Sequence, residues 1–267
     1  MKGMPIYWFA VSKAFDYMLI AGALFIIYKK LGGDKFSFSW ITLKKLFAKS
    51  KYYIVSSMMV TIFAQTDKIM IKLMIDDAAT GYYSAATTCV GITTFIFSAI
   101  IDSFRPVIFE RKKIGQKNFE KIIIQLYSII IYLSLLQCIV ITLFSPLIVN
   151  ILYGVDYSPT IGVLRIVVWY TTFSYLGSVR NIWILANEKQ KYLWVLNLFG
   201  ALANVILNFI LIPSFEIMGA ALASLITQIF TNIFMNYIVK PIRPVNRLIL
   251  KGLNPKEIIR LIKDIKK

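Results

Sequence analysis

The chain contains 267 residues, of which 58% are hydrophobic and 16% charged, and its mean hydropathy is +0.70. Soluble domains average about 45–50% apolar and about 25% charged residues, so this composition excludes an ordinary soluble domain and predicts several membrane spans. The sequence has no histidine and two cysteines, Cys89 and Cys138. This excludes histidine-based catalysis, a zinc-ligand pattern and a disulfide framework.

Seven apolar runs are long enough to cross a bilayer, which takes about 20 helical residues. They cover residues 4–28, 52–75, 80–104, 122–152, 161–186, 192–212 and 218–239. We therefore expect an all-α polytopic membrane helix bundle with about seven spans. The fourth run is nearly all apolar beyond Gln125 and Ser128 and is predicted to face lipid, with a kink or an end at Pro146. Pro213 is predicted to separate the sixth and seventh runs, which then form a tight hairpin.

Charge alternates along the connections between these runs. Most of the basic residues, 24 of the 30, lie in residues 29–51, 105–121, 189–191 and 240–267. The other connections carry acidic residues and neither Lys nor Arg. By the positive-inside rule the basic connections are cytoplasmic, which predicts an N-terminus outside the cell and a C-terminus in the cytoplasm.

This charge pattern explains the net charge of +17 without a nucleic-acid partner. The expected partners of the basic segments are membrane lipids with anionic headgroups. Residues 36–51 are predicted to form an interfacial helix, and Asn254 and Pro255 are predicted to begin a second surface helix in the tail.

Polar side chains recur along one face of several predicted spans. The stripe in the second span lies within about 80° of a helical wheel and consists of Ser57, Thr61, Gln65, Lys68 and Lys72. Asp67 lies about 100° from Lys68, on the flank of that stripe. Comparable stripes contain Ser84, Thr94, Ser98, Asp102 and Arg105 in the third span, Arg165, Thr172 and Arg180 in the fifth, Asn197, Asn204 and Asn208 in the sixth, and Ser224, Gln228 and Thr231 in the seventh.

The stripes together predict a hydrated cavity inside the bundle. A charge at the middle of a span costs about 2.5–3.5 kcal/mol, so Lys68, Lys72, Arg165 and Arg180 indicate a pathway rather than contact with lipid. These cations outnumber the single acidic residue, which predicts an anionic passenger such as a phosphate. With Gln65 they are the candidate passenger-binding residues. For single Ser, Thr, Asn and Gln residues, hydrogen bonding between helices is the alternative. For Lys72, near the outer end of its span, the alternative is that the side chain reaches the membrane surface.

Three stretches carry a resemblance to a known family. They are Gln65-Thr66-Asp67-Lys68 with residues 81–86, residues 152–165 from Leu152-Tyr153-Gly154 to Leu164-Arg165, and residues 204–208 with Leu211-Ile212-Pro213 and Gly219-Ala220-Ala221. In these stretches the chain resembles the C-terminal part of the oligosaccharidyl-lipid flippases for O-antigen and capsule. That family lies in the superfamily that also holds multidrug and toxin extrusion antiporters and lipid II flippases.

The resemblance implies a transporter of about twelve spans in two lobes, which moves an undecaprenyl-diphosphate-linked oligosaccharide across the bacterial inner membrane by alternating access. The chain then divides into residues 1–28, the last helix of a truncated N-terminal lobe; residues 29–51, a cytoplasmic linker; residues 52–240, the C-terminal lobe; and residues 241–267, a basic cytoplasmic tail. About five spans of the first lobe are missing, so we expect a fragment or one half of a split transporter, with a separate N-terminal lobe as a partner.

Resemblance to the lipid II flippases also implies coupling to Na⁺ or H⁺, with no other cofactor. The implied site consists of Asp67, Asn204, Asn208 and Ser224. Asn208 stands where the family pattern has a second carboxylate, which implies a weaker Na⁺ site.

Two other functions stay open, an antiporter and a remnant, and a third, a membrane enzyme, is disfavoured. An antiporter for drugs or organic cations would require a cavity rich in carboxylates or aromatic side chains, and a remnant without transport would lack the first lobe. A membrane enzyme would need catalytic residues on sizeable non-cytoplasmic loops, and here these loops are a handful of residues long. No enzymatic activity is therefore expected.

Overall fold

The chain forms helices connected by short turns. The computed structural model describes residues 7–33, 37–258 and 260, and these residues contain no β-strand. The α-helices are α1 (Tyr7–Lys30), α2 (Trp40–Met74), α3 (Asp77–Ile114), α4 (Gln116–Tyr153), α5 (Thr160–Ala186), α6 (Leu193–Ile229), α7 (Met235–Ile238) and α8 (Pro244–Gly252). A π-helical turn, Phe230–Phe234, joins α6 to α7.

The predicted all-α membrane class is confirmed. Four helical stretches of the described residues are long and apolar enough to span a membrane: Val11–Lys30, Asp77–Ile114, Gln116–Tyr153 and Gln190–Ile238. Helices also cover the other predicted runs within the described residues. The number of spans and the orientation in the membrane stay predictions.

The chain divides into two compact units, residues 1–48 and residues 49–267. In the first unit, every described side chain of α1 is exposed. In the second unit, α4 packs against α3, α5 and α8, and α5 also packs against α3 and α6. Among its described side chains, α2 buries only Asp67, Met70 and Ile71.

Helix α4 packs against α3, α5 and α8 along one side and exposes large apolar side chains, among them Leu136, Leu143 and Ile151, along the other, whose contact with lipid stays a prediction. Phe119, Leu126 and Tyr127 are fully buried in the larger apolar core, and Val149 is fully buried in the smaller one. Lipid chains are as apolar as leucine, so hydropathy alone does not separate the buried side of α4 from its exposed side.

Helix α4 does not end at Pro146, and the hairpin predicted between the sixth and seventh runs forms with its break at Glu216 rather than at Pro213. Helix α4 continues through Pro146, because the Ser145 hydroxyl donates a 3.0 Å hydrogen bond to the Thr142 carbonyl that the proline leaves without its N–H donor. The chain continues as helix past Pro213 and breaks at Glu216, where φ is 50° and ψ is −133°. A Cβ at Gly219 would lie 2.2 Å from the Leu211 carbonyl oxygen, so only glycine allows this tight return.

The predicted interfacial helix is not a separate element. From Trp40 onward its residues form the first turns of α2, which runs without a break to Met74. Residues 34–36 lie outside the described part of the chain. No glycine or proline lies between the two predicted segments, so no helix-breaking residue separates them.

The predicted basic tail contains a packed helix that sequence reasoning missed. Val245, Leu248 and Ile249 of α8 are buried, and a Cβ at Gly252 would lie 2.7 Å from Cβ of Tyr127 on α4. Beyond α8, Asn254 Oδ1 accepts a 3.1 Å hydrogen bond from the backbone N–H of Lys256, as expected of a helix N-cap. The predicted helix beyond residue 260 lies outside the described residues.

Candidate functional site

A buried carboxylate in the second unit is surrounded by four hydrogen-bond donors. Asp67 on α2 is 6% exposed. Its Oδ1 accepts hydrogen bonds from Nδ2 of Asn208 at 2.7 Å and of Asn204 at 3.1 Å. Its Oδ2 accepts from the hydroxyls of Tyr83 and Ser224, each at 2.5 Å. An ionised carboxylate only accepts hydrogen bonds, so these four donors match it.

Helix α3 and the two halves of α6 supply these donors. Tyr83 lies on α3, Asn204 and Asn208 lie one turn apart on the first half of α6, and Ser224 lies on its second half. The break at Glu216 turns the second half back against the first, so that Ser224 Oγ is 3.4 Å from Asn204 Nδ2. The residues that contact Asp67 therefore lie up to 157 positions away from it in the sequence.

The structure brings together the four residues proposed from the family resemblance, and their role in ion coupling stays a prediction. Tyr83 was missed as a fifth member, although it lies in the stretch 81–86 that carries the resemblance. Oxygen atoms of these five residues are the groups that could hold a small cation. The described residues contain no cluster of three or more His, Cys, Asp or Glu side chains, so a cation here would meet one carboxylate.

A polar cleft lies beside this cluster. It consists of two adjacent cavities of about 160 and 380 Å³. Their walls share Val60, Ser174, Ser178, Asn181 and Asn197. Side chains of α2, α3, α5 and both halves of α6 line the cleft, and several of them belong to the polar stripes. The cleft therefore corresponds to part of the cavity predicted from the stripes.

Arg180 lies in the wall of the smaller cavity and is 2% exposed. Its Nη1 donates to the Thr231 carbonyl at 2.8 Å, and its Nη2 and Nε donate to Oδ1 of Asn181 at 3.1 and 3.4 Å. Among the described residues no carboxylate pairs with it. The placement of this candidate residue therefore agrees with the sequence prediction.

The larger cavity holds a paired cation instead. Arg105 Nη2 lies 2.8 Å from Asp102 Oδ1, which is the ion pair expected from their spacing on α3. Thr94, Ser98 and Tyr175 line the same cavity. Because Asp102 neutralises Arg105, the two cavities differ in charge.

Four other candidate residues do not line the cleft, and their expected placement is corrected. Lys72 is 61% exposed and pairs with Asp77 at 2.8 Å. Arg165 is exposed, and its Nε donates to Ser145 Oγ on α4 at 2.9 Å. Gln65 is exposed, and Lys68 is half-buried outside the cleft walls.

The error for the residues of α2 has one physical cause. A helical wheel fixes the angles between side chains but not the rotation of the whole helix. The four donors around Asp67 turn this residue inward, and Lys68, about 100° further round, turns away from the interior.

Comparison with known proteins finds similarity to a protein family and to a curated membrane protein. Residues 2–112 match the family model described as polysaccharide biosynthesis protein. The chain is also 29% identical to an uncharacterized membrane protein of Methanocaldococcus jannaschii over 262 residues, which cover 88% of this chain and 50% of that relative. The chain thus spans about half the length of the curated relative it matches. No solved structure matches it with significance. The match covers residues 2–112, so this part of the membrane protein is similar to the polysaccharide biosynthesis proteins, a family of the flippase superfamily.

Proposed function

We propose that this chain is a transporting lobe that moves a polyprenyl-diphosphate-linked oligosaccharide across the cytoplasmic membrane, for O-antigen, capsule or a related surface polysaccharide. The observation that carries the proposal is the polar cleft with the buried Arg180, in a membrane protein whose residues 2–112 match the polysaccharide biosynthesis family. A buried guanidinium without a carboxylate partner suits an anionic group on the passenger, such as a diphosphate.

The same charges argue against an organic-cation antiporter. Of the two arginines in the cleft, Arg105 is paired with Asp102, and Arg180 has no acidic partner among the described residues. The charge without a counter-charge is thus positive, which repels a cationic passenger.

In this proposal the cluster around Asp67 couples transport to an ion gradient. A proton on Asp67 would turn one carboxylate oxygen into a donor, and the hydroxyl of Tyr83 or Ser224 can rotate to accept it. Binding of Na⁺ would instead require the amides of Asn204 and Asn208 to turn their oxygen atoms inward. Proton coupling therefore requires the smaller rearrangement.

The full transport unit would contain more than the helices described. The chain spans half of its archaeal relative, and α2 buries only three of its described side chains. We propose that a second lobe covers the open side of α2 and completes an alternating-access pathway.

Transport is tested with the full-length protein, purified from its native membrane together with its second lobe, in proteoliposomes that contain a fluorescently labelled polyprenyl-diphosphate oligosaccharide. We expect the label to move between leaflets, as measured by its access to a membrane-impermeant quencher, and to move faster under a pH gradient. A response to Na⁺ alone would identify Na⁺ as the coupling ion. Movement of ethidium with no movement of the labelled lipid would favour the antiporter, and movement of neither would indicate a remnant.

A further inference from the structure

We propose that the smaller cavity of the polar cleft is a binding site for one phosphate-type oxyanion, formed by Arg180, Thr227 and Thr231 and held in shape by the π-helical turn and α8. The inference deepens the proposed function, on which it rests for the identity of the passenger. It assigns the passenger's phosphate to one part of the cleft and gives α8 a positioning role.

Arg180 supplies the charge and still has donors to offer. A guanidinium carries five N–H groups, and the described residues engage three of them. The side chain lies in the cavity wall and is 2% exposed, so the charge is shielded from water. A desolvated cation with free donors binds an oxyanion more strongly than an exposed one does.

Two hydroxyl groups in the same wall have no hydrogen-bond partner within the described part of the chain. Thr227 is 1% exposed and Thr231 is 8% exposed, and both line the 160 Å³ cavity with Arg180. Buried hydroxyls are normally hydrogen-bonded, so two unpaired ones beside a buried cation indicate a missing ligand. Phosphate oxygens accept hydrogen bonds from hydroxyl and guanidinium groups alike.

The π-helical turn fixes this arrangement. Three successive carbonyl oxygens of the turn accept hydrogen bonds from side chains: Thr231 from Arg180 at 2.8 Å, Asn232 from Asn236 at 2.6 Å, and Ile233 from Asn246 at 3.0 Å. Asn246 lies on α8 and also accepts a 2.9 Å hydrogen bond from Asn236. Helix α8 therefore positions the turn whose Thr231 carbonyl orients Arg180.

Two glycines make room for the turn. A Cβ at Gly177 of α5 would lie 2.2 Å from Asn232 Oδ1, and a Cβ at Gly200 of α6 would lie 2.7 Å from Thr231 Oγ1. The close approach of the turn to α5 and to the first half of α6 brings Thr231 to the cavity wall. Such π-turns inside helices occur frequently at functional sites.

The test measures binding of inorganic pyrophosphate and of methyl phosphate to the full-length protein in nanodiscs by calorimetry. Arg180→Gln should weaken binding at least about tenfold, since a hydrogen bond to a charged group is lost. Thr227→Val removes an unpaired hydroxyl without disturbing other contacts and should weaken binding about threefold to tenfold. Arg165→Gln, an exposed arginine on the same helix, is the matched control and should leave the affinity unchanged.

Helix α8 is tested in the same assay. Asn246→Ala should lower the affinity although its side chain does not line the cavity, whereas Arg247→Gln, exposed on the same helix, should not. Absence of binding to the unmodified protein, or equal affinity of Thr227→Val and Arg165→Gln, would overturn the proposal. If Asn246→Ala bound normally, the positioning role of α8 would be refuted.

Failure of this inference is distinguishable from failure of the proposed function. Lipid movement in proteoliposomes with normal anion affinity in the Arg180 and Thr227 variants would refute the site alone. Anion binding at Arg180 in a protein that moves no lipid-linked saccharide would refute the transport proposal and support the site.

Discussion

Replacement of Asp67 separates its charge from its hydrogen bonds. In Asp67→Asn the remaining Oδ1 still accepts from Asn204 and Asn208, and the new Nδ2 can donate to the oxygen atoms of Tyr83 and Ser224, because hydroxyl groups both donate and accept. The polar groups then stay paired. Hydrogen bonds to charged groups contribute about 1.5–3 kcal/mol and neutral ones about 0.5–1.5 kcal/mol, and relief of the buried charge offsets much of the difference. We therefore expect Asp67→Asn to lower the free energy of unfolding by about 1 kcal/mol.

Asp67→Ala removes the acceptors altogether. Asn204 and Asn208 retain the 3.3 Å hydrogen bond between them, but the hydroxyls of Tyr83 and Ser224 lose their acceptor. Each unsatisfied buried donor costs about 1–3 kcal/mol, so the expected loss is about 2–5 kcal/mol. Because Asp67 is one of the three side chains that α2 buries among those described, the loss should first release α2 from the bundle.

The assay is unfolding of the purified protein in mixed micelles with increasing SDS, combined with hydrogen exchange of α2. The transport assay then separates the roles: Asp67→Asn should remove the response to the ion gradient while the protein stays folded. Equal unfolding free energies for the two variants would refute the hydrogen-bond argument. An unchanged response to the gradient in Asp67→Asn would refute ion coupling at this residue.

Three further substitutions test the fold and the corrected residue placements. Ser145→Ala should lower the free energy of unfolding by about 1–2 kcal/mol in the same SDS titration, because the Thr142 carbonyl, to which Pro146 cannot donate, loses the hydroxyl as its donor. An unchanged value would show that the Ser145 hydrogen bond does not stabilise the helix at Pro146. Gly219→Ala should destabilise the protein by several times more than Gly91→Ala, since a Cβ at Gly91 meets nothing within 4 Å. Lys72→Gln breaks an exposed ion pair and should change the free energy of unfolding by less than about 1 kcal/mol and leave lipid movement intact; loss of transport would show that Lys72 binds the passenger after all.

The helical nature of the chain and the partners of Asp67 could be predicted from the sequence, but for different reasons. Long apolar runs specify membrane helices through composition alone. The proximity of Asp67 to Asn204, Asn208 and Ser224 came from family resemblance, since no local pattern relates residues up to 157 positions apart. The polar stripes predicted that four candidate cations line the cavity. Of these four, Arg180 alone lines the cleft, because the rotation of a helix about its axis depends on tertiary contacts.

Helix α8 and the π-helical turn could not be predicted in this way. With only nine residues, α8 is too short for a hydropathy average, and its charged residues made it resemble a solvated tail. The π-helical turn depends on side chains from α5 and α8, whose contributions, Arg180 and Asn246, are 66 positions apart in the sequence. The helix propensities of individual residues do not depend on such distant contacts and so cannot predict them.

The two halves of α6 connect the cleft with the cluster around Asp67. On the first half, Gly200 lines the smaller cavity and Asn204, one turn further, donates to Asp67. On the second half, Ser224 donates to Asp67 and Thr227, one turn further, lines the cavity. Both sites thus lie across the same seam between the two halves, which the break at Glu216 folds together. A sliding or opening of the second half against the first would change the distances around Asp67 and in the smaller cavity at the same time. The proposed coupling between an ion at Asp67 and the passenger would therefore act through this seam.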